Sequence, residues 1–234
     1  MSSIAETAFT SLVNIFFPHV CAGCEQPLSR GEQVVCVDCL GKLPGTGFQL
    51  KENNPIEKLF TGRINIEAAT ACYFFRKEAV LQNIMHQFKY HGRRDVGRYM
   101  GRQMGFIIAA SGNSSQFDGL VPVPLYYTKE KKRGYNQSAI LCEGVAEILH
   151  LPIIPHALKR IYATESQTHK TRLDRWENVQ SAFEVSKANL LMGKHVLLVD
   201  DVVTTGATIE ACAQHILKIP GTKVSVAALA LAAF

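Results

Sequence analysis

A chain of 234 residues, 47% hydrophobic and 19% charged with a net charge of +5, is long enough to bury a full core as one large domain, or as a domain plus a small module. The composition excludes disorder and collagen-like repeats, and no stretch approaches the roughly 18 uninterrupted apolar residues of a membrane-spanning helix. The charge is local. Residues 1–75 carry 5 basic and 7 acidic side chains, residues 76–102 carry 7 and 2, and smaller basic excesses lie at 129–133 and 159–175. Such clusters suit phosphorylated ligands or nucleic acid, or are solvated helix faces.

Ile4, Ala8, Leu12, Val13, Phe16 and Phe17 recur at helical spacing and Pro18 ends the run, which predicts a short amphipathic helix. Residues 1–20 contain no Lys or Arg, so the basic start of a secretory signal is missing and a cytoplasmic location is expected. Cys21-x-x-Cys24 and Cys36-x-x-Cys39 follow, with 11 residues between the pairs. Two such pairs can wrap one tetrahedral ion, and an all-thiolate set points to structural Zn²⁺ rather than to a catalytic metal or two disulfides. Redox chemistry is not expected, since neither pair reads as following a strand and opening a helix. Cys72, Cys142 and Cys212 read as small core residues. The Gly-, Pro- and Asn-rich stretch 44–55 reads as connecting loop. It divides the chain into an N-terminal helix and Cys₄ module, 1–55, and a larger domain, 56–234.

From residue 66 the pattern alternates. Strands are predicted at Ala68–Phe75, Gly119–Pro124, Lys194–Val199 and Lys223–Leu231, and helices at Ala79–Tyr90, 94–110, Ala139–Leu149 and Thr208–Leu217. Ser111–Gln116 reads as loop, and 159–181 is polar and irregular. Strands separated by helices of ten or more residues imply an α/β fold with a parallel, doubly wound sheet.

The window Val196-Leu197-Leu198-Val199-Asp200-Asp201-Val202-Val203-Thr204-Thr205-Gly206-Ala207-Thr208 carries the most chemistry. A buried strand delivers two carboxylates at the edge of the sheet where α/β proteins bind ligands. A Thr/Gly turn then enters a helix, where backbone N–H groups and the helix dipole favour an anion. Gly206 permits close backbone approach, and the Thr204, Thr205 and Thr208 hydroxyls can donate to phosphate oxygens. Asp200 and Asp201 would repel that phosphate, and suit sugar hydroxyls or hydrated Mg²⁺ a few ångströms away. Phosphate followed by a ribose diol is the ligand that this order implies.

The same window resembles the 13-residue signature of type I phosphoribosyltransferases, which bind phosphoribosyl pyrophosphate (PRPP) with Mg²⁺. Lys89-Tyr90-His91-Gly92, Val121-Pro122-Val123-Pro124, Arg133-Gly134-Tyr135-Asn136-Gln137-Ser138 and the stretch Gln167…Arg175…Asn178-Val179…Ala182-Phe183 further resemble the ComF (competence protein F) family. That family joins a Cys₄ zinc module to a phosphoribosyltransferase domain. The resemblance implies a type I phosphoribosyltransferase-like sheet, with Asp200 and Asp201 on the ribose hydroxyls and Thr204, Thr205, Gly206, Ala207 and Thr208 on the 5′-phosphate. It also implies transfer of a phosphoribosyl group from PRPP to an acceptor that the sequence does not identify. The family's association with incoming single-stranded DNA leaves a second reading open, a non-catalytic module of DNA uptake that binds single-stranded DNA or DNA-uptake proteins and keeps the PRPP pocket.

A PRPP-dependent enzyme must also hold pyrophosphate, and the loop after Val121–Pro124 supplies Lys129, Lys131, Lys132 and Arg133. Arg133 is the first choice, with a catalytic role beside Asp200 and Asp201, and Lys132 is the second. Residues 160–178 fit a lid over the reacting centre, with Gln167 and Arg175 as contacts. Any hood over the acceptor is expected from the N-terminal half. Lys89, Arg93, Arg94, Arg98 and Arg102, interleaved with Tyr90 and Tyr99, suit single-stranded DNA, or form a solvated face.

Overall fold

The computed structural model describes residues 19–50, 52–76, 79–112, 114–162 and 182–232. The predicted N-terminal amphipathic helix, and the lid contacts Gln167 and Arg175, lie outside the described residues. β1 (Ala69–Phe75), β2 (Gly119–Pro122), β5 (His195–Val203) and β6 (Lys223–Ala232) form a parallel sheet in the order β1-β6-β5-β2. The fold class expected from the alternating pattern is therefore borne out. β5 and β6 sit in the middle and are covered on both faces, which is why they read as near-continuous apolar runs. Register places Val199 beside Ala227 and Asp200 beside Ala228.

Two cores follow from the period-2 alternation of the strands. Leu197, Val199, Ala227 and Leu229 pack with α3 (Val80–Tyr90), α4 (Arg94–Ala109) and α6 (Gln137–Leu149) on one face. Val196, Leu198, Val226 and Ala228 pack on the other with α2 (Pro55–Phe60) and α7 (Ala207–Leu217). α4 and α6 cross with their backbones in contact: a Cβ on Gly101 would run into the Leu141 carbonyl, and one on Gly144 into the Arg98 carbonyl. β3 (Leu158–Arg160) and β4 (Phe183–Val185) form a separate antiparallel pair. Among the described residues no helix is long and apolar enough to cross a membrane.

The Cys-rich segment shares the first core rather than standing apart. Cys21, Ala22, Val34, Val35 and Cys39 are buried in one cluster with Leu81, Ile84, Met85 and Phe88 of α3. Cys36 caps α1 (Val37–Gly41), its sulfur accepting from Cys39 N–H. The second Cys pair thus opens a short helix, but among the described residues no strand of the sheet precedes it, so the strand-then-helix setting of a redox pair is not formed.

Further elements lie where sequence reading had assigned none. Residues 44–46 lie along the outer edge of β1 through bonds from Thr46 N–H to the Cys72 carbonyl and from Phe74 N–H to the Pro44 carbonyl. The supposed loop then continues into α2, whose start is set by Asn54 accepting from Ile56 and Glu57 N–H, with Pro55 at the first helical position. Similarly, the Lys-rich segment after β2 is a helix, α5 (Tyr127–Arg133), stopped by Gly134 in the left-handed region at φ +81°.

Candidate functional site

The site is built along the carboxyl edge of the sheet, starting from the turn between β5 and α7. Gly206 stands at the cap of α7 with φ +78°, and no side chain caps that helix. The first-turn N–H groups are thereby left facing an anion-sized hollow lined by Asp200 and Val202 through Ile209. A Cβ at Gly206 would lie 2.9 Å from the Phe60 ring of α2, so the turn rests on a residue to which sequence reading had given no element. Arg63, just past α2, donates to the Leu59 carbonyl and pairs with the buried Glu210 of α7. Its bond to the Thr205 carbonyl is longer, at 3.4 Å. Charge pairing there keeps an acidic side chain in the first turn of α7 from opposing an anion.

Asp200 and Asp201 lie within β5, which runs on to Val203, so the acid pair belongs to the strand rather than following it. Asp200 accepts from Ser138 Oγ at 3.0 Å and from Asp201 N–H at 2.9 Å. Burial and the neighbouring Asp201 charge nevertheless push its carboxyl up to about 7. Asp201 Oδ2 lies 2.6 Å from Lys89 Nζ at the end of α3, with both side chains largely buried. Folding therefore favours protonated Asp200. The stability this group contributes is complete below the ordinary carboxylate range and is lost as pH rises through about 7.

A ligand hydroxyl donating to the Asp200 carboxylate favours the opposite, charged form. Affinity for a diol-bearing ligand is expected to fall as pH drops below about 7, approaching tenfold per unit. Asp200→Asn should flatten that slope. Calorimetric titrations on either side of neutrality check this, and equal slopes in the two proteins contradict it.

Beyond the acids, a cleft of about 190 Å³ is lined by Lys89, Arg133, Gln137, Ser138, Arg160, Asp200, Asp201 and Thr208, among others. It shares Lys89 and Arg133 with a hollow of about 320 Å³ whose other walls are Tyr90, Lys129 and Lys132. Arg133 donates to Gln137 Oε1 at 2.8 Å and stacks over Tyr90, 5.6 Å from its centroid. Gln137 is buried, and its Nε2 has no hydrogen-bond partner among the described residues. Asn136 caps α6 and donates to the Val123 carbonyl, which fixes the turn against the edge strand.

The structure thus brings Thr204–Thr208, Asp200, Asp201, Lys132 and Arg133 to one continuous edge, and it adds two residues. Arg160, from β3, lines the cleft with its guanidinium over Phe183. Sequence reading placed it in a basic stretch and at the start of the expected lid, without naming it as a contact. Lys89 was assigned to nucleic acid, yet its ammonium is paired with Asp201 in the cleft. The signal that could have moved Lys89 to the cleft was its place in the Lys89-Tyr90-His91-Gly92 motif.

The remaining basic residues do not form a free stripe. Arg93 pairs with Asp95, Arg98 with Glu143 and Glu147, and Arg102 with Glu147. Arg94 donates to the Gly134 carbonyl at 2.5 Å and lies over Tyr135. Arg94, Arg98 and Arg102 do share a helix face as their spacing implied, but α6 lies alongside it and neutralises two of the three.

At the other end of α3, the sulfurs of Cys21, Cys24, Cys36 and Cys39 lie within 4.8 Å of one another, close enough to hold one metal ion. Cys21 Sγ accepts from Gly23 and Cys36 N–H at 3.3 and 3.2 Å. Those bonds help bring its thiol down to about 7 against the penalty of burial. Backbone donors aimed at sulfur stabilise thiolate, the form that binds metal. Four soft donors at tetrahedral reach fit Zn²⁺.

Comparison with known proteins finds similar sequences. The family model of the phosphoribosyl transferase domain matches residues 136–233. DNA utilization protein YhgH of Escherichia coli (strain K12) is 28% identical over 222 residues, covering 86% of this chain and 92% of its own. Competence protein F of Haemophilus influenzae is 28% identical over 156 residues, covering 65% and 68%. Competence protein ComFC of Bacillus subtilis is 33% identical over 99 residues, covering 42% and 38%.

Proposed function

Because the chain is a relative of competence protein F and carries a phosphoribosyl transferase domain, we propose that it binds PRPP with Mg²⁺ and transfers the phosphoribosyl group to an acceptor. The observation that carries this reading is the order of the hollows along one sheet edge. An anion cradle at Thr204–Thr208 is followed by the acid pair, and that by the cationic hollow at Lys89, Lys129, Lys132 and Arg133. PRPP presents 5′-phosphate, ribose diol and pyrophosphate in that same order.

The N–H groups and hydroxyls of the turn would hold the 5′-phosphate, while Asp200 and Asp201 accept from the ribose hydroxyls. Arg133, with Lys132 behind it, would take the negative charge that grows on the leaving pyrophosphate as the C1–O bond breaks. Mg²⁺, when bound with the diphosphate, supplies further neutralisation of that charge, and the carboxylates of the cleft are hard oxygen donors of the kind it takes. Zn²⁺ on the four cysteines would be structural, in a module that we end near residue 55. A cytosolic protein keeps such thiolates reduced.

The names of the relatives favour a second reading, a DNA-handling module that keeps the PRPP pocket without turnover. Release of pyrophosphate from PRPP, measured across nucleobases, amines and single-stranded DNA, separates the two. Release with any acceptor supports the enzyme. No release, with PRPP still bound and single-stranded DNA binding that weakens steeply in salt, supports the module.

A further inference from the structure

α3 touches both of the chemical sites. At its first turn, a Cβ on Gly23, inside the first Cys pair, would lie 2.8 Å from Val80 Cγ1 and 2.9 Å from Cys39 Sγ. Asn83 Nδ2 donates to the Gly23 carbonyl at 2.9 Å, and Gln87 Nε2 to Glu25 Oε1 at 3.1 Å. At its last turn, Lys89 Nζ is 2.6 Å from Asp201 Oδ2, and the Phe88 carbonyl accepts from the Tyr135 hydroxyl beside the cationic hollow. Lys89 lies nine residues past Val80, about 14 Å along a helix of ordinary rise. The apolar side of α3 is buried in the same core as Cys21, Ala22 and Cys39. One short helix, gripped at both ends, therefore lies between the thiolate cluster and the acid pair.

We propose that α3 couples the four-cysteine metal site to the PRPP cleft, with Lys89 as the positioning residue at the cleft end. The coupling rests on the PRPP reading above and extends it, by giving the cysteine module a part in the site. Metal on the cysteines fixes the Gly23 turn, the turn fixes α3 through Asn83 and Val80, and α3 holds Lys89 against Asp201 and toward the pyrophosphate. Coupling between two sites is reciprocal. PRPP, by engaging Lys89 and Asp201, must then tighten the hold of the cysteines on the metal.

The test is the zinc affinity of the protein in equilibrium competition with a colorimetric chelator, with and without Mg²⁺-PRPP, beside a calorimetric PRPP titration of each protein. In the parent protein PRPP is expected to protect zinc by tightening its binding about fivefold or more. Lys89→Met should abolish that protection by cutting the cleft end. Asn83→Ala lies outside the cleft, so it should keep PRPP binding and lose most of the protection, which a merely structural role for α3 would not produce. PRPP bound while the zinc affinity stays the same overturns the coupling and leaves the PRPP reading intact. So does full protection in Asn83→Ala. A parent protein that does not bind PRPP overturns both, and one that holds no zinc overturns the coupling.

Discussion

Asp200→Asn combined with Asp201→Asn is expected to lower PRPP affinity by at least about 100-fold, with the fold retained. Each carboxylate would accept a charge-assisted bond from a ribose hydroxyl, worth about 1.5–3 kcal/mol, so the loss of both amounts to between about 10² and 10⁴ in affinity. Asparagine keeps the shape of the side chain and an acceptor for the Ser138 bond. The single variants should differ in stability. Asp200→Asn removes a charge that burial and Asp201 already oppose, and raises the melting temperature at neutral pH. Asp201→Asn leaves Lys89, only 21% exposed at its side chain, without its carboxylate partner, and lowers it. Calorimetry and thermal melts on the three variants check both statements. An affinity within threefold of the parent in the double variant contradicts the ribose assignment.

Cys39→Ala is expected to have the larger effect on the fold. Cys39 is buried in the shared core, and its sulfur completes the four-sulfur cluster. With three thiolates left, the metal should fall well below one per chain. The free energy of metal binding, about 10–16 kcal/mol in small zinc modules, is then no longer available to fold the segment. Residues 19–45 should lose hydrogen-exchange protection, and α3 should lose part of its own because Gly23 and Val80 pack together. Elemental analysis and hydrogen exchange report on this directly. A variant that retains one zinc and full protection contradicts the assignment.

Much of the site was legible because it is local. The apolar run, the acid pair and the Thr/Gly turn are contiguous in sequence, and a strand feeding a helix is the one arrangement that makes them a ligand edge. The Cys pairs were legible for the same reason. α2 was not: Asn53-Asn54-Pro55 carries turn chemistry that serves equally as a helix cap, and only Phe60 beneath Gly206 shows which use applies.

The basic residues were the least legible, because a cation's role depends on what faces it across the fold. Arg98 meets Glu143 and Glu147, more than forty positions away, through a helix crossing that Gly101 and Gly144 permit. Lys89 meets Asp201 over a greater distance still. Runs of like charge in the sequence thus became ion pairs in the structure, and the cationic surface that remains in the site is the hollow at Lys129, Lys132 and Arg133.

The central claim is that the clefts along this edge form one PRPP site. It is tested most directly by calorimetric titration of the zinc-loaded protein with PRPP and Mg²⁺ at a pH above 7. Saturable binding of one PRPP per chain below about 1 mM, displaced by pyrophosphate, is the result expected. No saturable heat over that range, with the protein folded and zinc-loaded, contradicts the account.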